Sequence, residues 1–189
     1  MKHFLTLIIL LSAVVRMHAD RPTYLGIIET GYSVGYDESS LNLWAVNTAH
    51  GIKMLNNHIF IGAGIGFGIS TDAYHLKTYI LPLFANIRYT LPLKNFAPYI
   101  DIKTGYAELT EETHDGGGDI HGGYYLAPSI GISKNISNRA SIYIGVGYSL
   151  IQASYRGSLA ESHGPSYTDE SYVNKFNAGG FNMAIGFTF

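Results

Sequence analysis

Four charged side chains stand where the alternation of extended chain turns them all to one side of a sheet: Glu29, Arg88, Asp101 and Lys103. Two acids and two bases in a narrow interior are expected to pair, because a buried charge without a partner is costly. The other chemistry open to such a set is a proton path or a gated pore. A second constellation, His114, Asp115, Asp119 and His121, surrounds three glycines. Oxygen-rich glycine loops can hold calcium and histidine pairs can hold transition metals, but this spacing matches no specific metal motif. A solvated connection is the expected role, with no metal and no other cofactor. A third group, Glu161, Ser162, His163, Ser166, Asp169 and Glu170, holds the ingredients of a Ser–His–acid hydrolase. It falls in a polar stretch, Tyr155 to Lys175, that reads as a loop and offers no geometry, so no enzyme is expected.

Composition narrows the setting of these groups. The 189 residues allow one domain, and 22 Gly, 15 Tyr and 9 Phe against 14% charged residues suit aromatic girdles and a close-packed interior better than a solvated surface. With no Cys, disulfides, thiol catalysis and thiolate metal sites are excluded. Residues 1–19 read as an export signal: Lys2 leads an apolar run from Phe4 to Val15, too short to span a bilayer as a helix, and a cut is expected after Ala19. Residues 20–189 are then the mature domain. Losing Lys2 and Arg16 leaves acids in excess over bases, with no electrostatic case for nucleic acid.

The elements that must position the charges are strands. Residues Tyr24 to Tyr36 alternate Leu25, Ile27, Glu29, Gly31 and Ser33 with Tyr24, Ile28, Tyr32 and Val34. A second strand, about Leu43 to Lys53, is ambiguous in facing, and Trp44, Val46, Thr48 and Ile52 are assigned outward. A third, His58 to Ser70, opposes Ile59, Ile61, Ile65, Phe67 and Ile69 to Gly62, Gly64, Gly66 and Gly68. Those glycines keep period two and lead into another strand, unlike a nucleotide-binding fingerprint, so they are expected to line a crowded interior. Strand four, about Leu76 to Leu91, turns Thr78, Ile80, Phe84, Asn86 and Arg88 inward. Strand five, Phe96 to Leu109, turns Tyr99, Asp101 and Lys103 inward. Strand six, Gly122 to Ser133, and strand seven, Ser141 to Leu150, repeat the pattern, with Tyr125 and Tyr143 among their inward residues. Connections after even strands are short and the two longest follow strands five and seven. Pro82, Pro98 and Pro128 fall inside these strands; Pro98 can begin one, while Pro82 and Pro128 are expected at bulges or near the water interface.

The last strand, Phe176 to Phe189, puts Phe181, Met183, Ile185, Phe187 and Phe189 on one face and Gly180, Asn182, Ala184, Gly186 and Thr188 on the other. With its terminal Phe, the even strand count, the loop parity and the leader, the whole mature chain resembles the small eight-stranded Gram-negative outer-membrane barrels of the outer membrane protein A-like barrel domain family, in the single-domain form. The resemblance implies an all-β, antiparallel, up-and-down transmembrane barrel in the outer membrane. It also implies that Phe181, Phe187 and Phe189 form the signal read by the barrel-assembly machinery, with membrane lipids as the other partner. The function expected is a structural, adhesive or surface-interaction role through the external loops, with the lumen plugged. An outer-membrane lipid-modifying enzyme and a narrow pore are the alternatives. A soluble lipocalin-like carrier would place its greasy face inside, whereas the inward sets here read as Gly, Ser, Asn and charge.

Overall fold

The computed structural model describes residues 22–35, 42–71, 77–91, 93, 96–111, 119–137, 140–163 and 166–189. The leader at 1–19 and its cleavage point lie outside the described residues, as do His114 and Asp115.

Alternating apolar and small residues give antiparallel strands throughout. They are β1 (Thr23–Gly35), β2 (Leu43–Met54), β3 (Ile59–Thr71), β4 (Lys77–Thr90), β5 (Ala97–Glu111), β6 (Asp119–His121), β7 (Gly123–Asn135), β8 (Ser141–His163) and β9 (Ser166–Thr188). β1 to β5 pair in chain order, β5 pairs with β7 and β7 with β8, and β9 pairs with both β8 and β1, so the sheet closes. Both β6 and β7 lie against β8 and form one stave broken at Gly122, which makes an eight-stranded barrel. Gly122 is required at the break, because a Cβ there would run into the Ala107 carbonyl.

The stagger can be followed residue by residue. Thr23 pairs with Lys53, Lys53 with Phe60, Phe60 with Arg88, Arg88 with Asp101, Asp101 with Ser129, Ser129 with Gly147, Gly147 with Asn182, and Asn182 with Ser33. One circuit thus climbs along β1 from Thr23 to Ser33, and a stagger of that kind tilts the strands and keeps the bore narrow. It also brings Arg88, Asp101 and their neighbours onto one inward-facing spiral.

A bore this narrow must be filled, and large side chains do much of it. Leu25, Ile27, Ile80, Phe84, Tyr99, Tyr125 and Tyr143 are buried inside, as their phase in the alternation requires, and Phe60, Leu109 and Ile151 join them. The glycines expected to line the interior do so by making room. A Cβ on Gly64 would strike the Phe84 ring, and one on Gly186 would strike Tyr143.

The prolines are accommodated without the bulges expected of them. The β3–β4 register is the same at Ile65↔Leu83 and at Gly68↔Ile80, with the ladder open between, and Pro82 keeps its pairing with Ala107 on the other side. Likewise β7–β8 opens between Leu126↔Leu150 and Ser129↔Gly147 while Pro128 stays paired with Ile102. Successive residues aim their N–H groups at opposite neighbours, so a missing N–H interrupts one ladder locally and shifts nothing. Pro98 stands next to the first residue of β5, and its carbonyl accepts from the Leu91 amide at 2.9 Å.

The stretch from Tyr155 to Lys175 is mostly strand and not a loop. Past Arg156, β8 pairs only with β9, from Gly157↔Tyr172 to His163↔Ser166, as a two-stranded ribbon. At roughly 3.3 Å per residue it extends the hairpin by about 20 Å.

Candidate functional site

Register places the charged residues. Arg88 and Asp101 are cross-strand partners, and two residues along lie Asn86 and Lys103, partners in turn. Residues two apart share a face, so all four point into the lumen. Glu29 arrives from β1 with Asn47 of β2 as its partner, and Tyr143 arrives from β8. Arg88 Nε donates to Asp101 Oδ1 at 2.9 Å. Lys103 Nζ bridges the lumen, 2.7 Å from Glu29 Oε1 and 3.2 Å from Asp101 Oδ2. Asn86 donates to Asp101 Oδ1 at 2.8 Å, Asn47 to Glu29 Oε1 at 3.1 Å, and the Tyr143 hydroxyl to Glu29 Oε2 at 2.8 Å. The Arg88 guanidinium is also clasped between aromatic faces, 4.4 Å from the centre of Tyr99 and 4.3 Å from that of Tyr143.

The sequence-predicted set Glu29, Arg88, Asp101 and Lys103 is therefore brought together as one chain of contacts. Asp101 and Asn86 are 0% exposed, which leaves water no share in neutralising that carboxylate. Two positive and two negative groups balance, and the tyrosines and asparagines turn pairing into a network, the form in which buried charges are tolerable. Loopward of it lies a cavity of about 60 Å³, bordered by Glu29, Lys103, Asn47 and Tyr125 and roofed by Leu43, Ile80 and Ile151. It is polar on one side and large enough to admit water.

The outer wall is the chemical opposite. Ile28, Ile61, Ile65, Leu83, Ile87, Ile102, Ile130, Ile144 and Ile185 are exposed in a continuous belt. Tyr32, Trp44, Phe67, Tyr106 and Tyr124 edge it toward the loop end, and Tyr24, Tyr89, Phe96 and Phe187 edge it toward the turn end. An apolar belt between aromatic girdles on the outside, with the charge network held inside, is the surface of a membrane-embedded barrel.

The other candidate groups lie outside this network. Asp119 and His121, read as loop, lie in β6 opposite Arg156 and Ser154; no cluster able to hold a metal occurs among the described residues. In the ribbon, Glu161 is opposite Thr168, Ser162 opposite Tyr167, His163 opposite Ser166, Asp169 opposite Ala160 and Glu170 opposite Leu159.

One polar group escaped the sequence reading. His50 faces outward in β2, between the outward-assigned Thr48 and Ile52, and its ring nitrogens meet the Tyr24 hydroxyl at 2.6 Å and the Thr48 hydroxyl at 3.2 Å. The signal was present in its spacing of two from Thr48, but a histidine among aliphatic wall residues breaks the alternation it belongs to.

No family model matches the chain, and no curated protein sequence matches it. Among solved structures it is similar to Neisserial surface protein A (NspA), with a TM-score of 0.59 at 11% identity, covering 89% of this chain and 98% of that one. A de novo designed transmembrane β-barrel gives a TM-score of 0.43 at 12% identity over 90% of this chain and 98% of the design. The translocator domain of the autotransporter NalP from Neisseria meningitidis gives 0.32 at 14% identity, over 99% of this chain and 95% of that one. The likeness to NspA is one of fold: a closed, antiparallel, eight-stranded barrel of the transmembrane class.

Proposed function

We propose that the chain is an outer-membrane barrel that works as a surface protein through its loop end, on a scaffold whose lumen is sealed, and that it is not an enzyme. The observation that carries this is the Lys103 ammonium lying across the bore between Glu29 and Asp101. Together with the Arg88–tyrosine clasp beside it, this charge network supports a lumen closed to ions. The ribbon of β8 and β9 extends past the other strands at the end where ligands of a surface protein would be met. Outer-membrane placement is supported by the leader, the loop parity and the closing strand; kinship with the outer membrane protein A-like barrels rests on the same features and is part of the proposal.

The narrow pore is the second reading, favoured by the cavity beside the network. Purified barrel in a planar bilayer is expected to show little or no steady conductance. Large, long-lived channels from the unmodified protein would replace the sealed scaffold with a porin.

The closing strand is proposed as the contact for the assembly machinery, through Phe181, Phe187 and Phe189. All three are exposed on the wall, and the Phe189 backbone is bonded to Gly26 on β1 in both directions, at 2.7 and 2.9 Å. Deleting Phe189 is expected to reduce assembled protein in the outer membrane more than a deletion in the β8–β9 ribbon does. Equal levels for the two variants would remove the assembly role from this residue.

A further inference from the structure

The outward-facing cluster around His50 has a donor arrangement that selects its ligand. Besides its contact with His50, the Thr48 hydroxyl donates to the Ile27 carbonyl at 3.1 Å. A hydroxyl has one proton, so a single assignment makes all three bonds: Nε2–H of His50 donates to Thr48, and the bare Nδ1 accepts from the Tyr24 hydroxyl. The donors run inward and end on a backbone carbonyl, and none is left over.

What remains on the surface is the lone pairs of the Tyr24 oxygen and a group of ring faces. The Tyr24 and His50 rings stack at 6.1 Å, Phe189 stands edge-on to His50 at 6.3 Å, and Phe187 stacks on Phe189 at 6.2 Å. Among the described side chains, the outward positions of β1, β2 and β9 carry no Asp, Glu, Lys or Arg. Such a surface has no donor for a phosphate. It complements a cation that donates hydrogen bonds, because ring faces attract positive charge and the phenol oxygen accepts an N–H. Tyr24 sits one residue from the start of β1, at the aromatic edge of the apolar belt, which is headgroup depth.

We propose that Tyr24, His50 and Phe189 form a docking point for the primary ammonium headgroup of a phospholipid in the leaflet at the turn end: one N–H bonds the Tyr24 oxygen and the charge lies over the rings. This rests on the membrane placement of the wall and not on a sealed lumen. The test is to insert the full chain into vesicles of equimolar phosphatidylethanolamine and phosphatidylglycerol, confirm insertion by heat-shifted gel mobility, extract into mild detergent, and weigh the retained lipid by native mass spectrometry. The ethanolamine lipid is expected to be retained several-fold over the glycerol lipid. Tyr24→Phe, which keeps the ring and loses the oxygen, is expected to abolish the preference, while Tyr89→Phe, stacked on His58 elsewhere on the rim, leaves it unchanged. Unmodified protein in vesicles of ethanolamine and choline lipids is expected to favour ethanolamine, since choline has no N–H; this arm needs no variant to fold. Retention in the proportions of the vesicle, a preference for the anionic lipid, equal retention of choline, or a full preference surviving in Tyr24→Phe would each overturn the proposal.

Discussion

Replacing Arg88 by Gln is expected to lower the unfolding free energy of the barrel by about 3–5 kcal/mol, the usual cost of removing one member of a buried ion pair. The loss comes chiefly from what is left behind. Asp101 is fully buried, and without the 2.9 Å contact to Arg88 its charge rests on Lys103 and Asn86 alone. Lys103 is already engaged by Glu29 at 2.7 Å, so two carboxylates would share one ammonium in a bore with little water. The clasp of Tyr99 and Tyr143 also loses its cation. Adding Asp101→Asn to Arg88→Gln removes the stranded charge and leaves Lys103 and Glu29 as a balanced pair, so the double variant is expected to be clearly more stable than Arg88→Gln alone. That recovery is a coupling between neighbours, which additive costs would not produce. Urea unfolding in lipid vesicles measures all three proteins. A cost below about 1 kcal/mol for Arg88→Gln, a size typical of exposed pairs, would mean that the guanidinium is hydrated and the network does not seal the lumen.

How much of this was legible in the sequence depended on where each residue stands relative to the membrane. Where one face meets hydrocarbon, the chain has little freedom: the Ile–Gly alternation of β3 and the Phe–Ile–Phe face of β9 gave strand and facing together, and the inward phase of Arg88, Asp101 and Lys103 followed from their wall-facing neighbours. Pairing within the lumen was not legible. Glu29 meets Lys103 across the bore from a strand far away in the chain, and that contact depends on the stagger of the closed sheet, which no local pattern encodes. Tyr99 and Tyr143 were placed inward without any sign that they would close on Arg88. Ile80 and Phe84 were legible as inward from the same phase, whereas Phe60 was hidden among the alternating residues of β3, since a narrow bore and a lipid face both accept apolar side chains. The ribbon beyond Arg156 was read as loop because a strand pair standing clear of the barrel needs no greasy face, and its polar residues carry no period-two signal. Pro82 and Pro128 misled in the other direction: a one-sided gap in the ladder absorbs a proline at constant register, so a bulge was not needed.

Ile144→Arg is expected to cost about 2–4 kcal/mol, the range for a basic side chain placed on the lipid face near the midplane. Ile144 lies on the wall, 55% exposed, with Ile132 of β7 and Ile185 of β9 as its register partners on either side, both exposed as well. An arginine there has aliphatic side chains and acyl chains around it and no acceptor within the wall. Ser149→Asn, five residues along the same strand, is expected to cost much less even though Ser149 is buried, because its side chain faces the lumen. There its hydroxyl lies 3.3 Å from that of Ser33 and donates to the Gly180 carbonyl at 3.4 Å, and it borders the cavity of about 60 Å³. A larger amide can keep an acceptor and extend into that space. The comparison separates the two environments of one strand: in a water-soluble barrel the exposed position would be the tolerant one and the buried position the sensitive one. Urea titration of both variants in vesicles gives the order, and a reversal of it would turn β8 inside out and, with it, the assignment of the apolar belt to lipid.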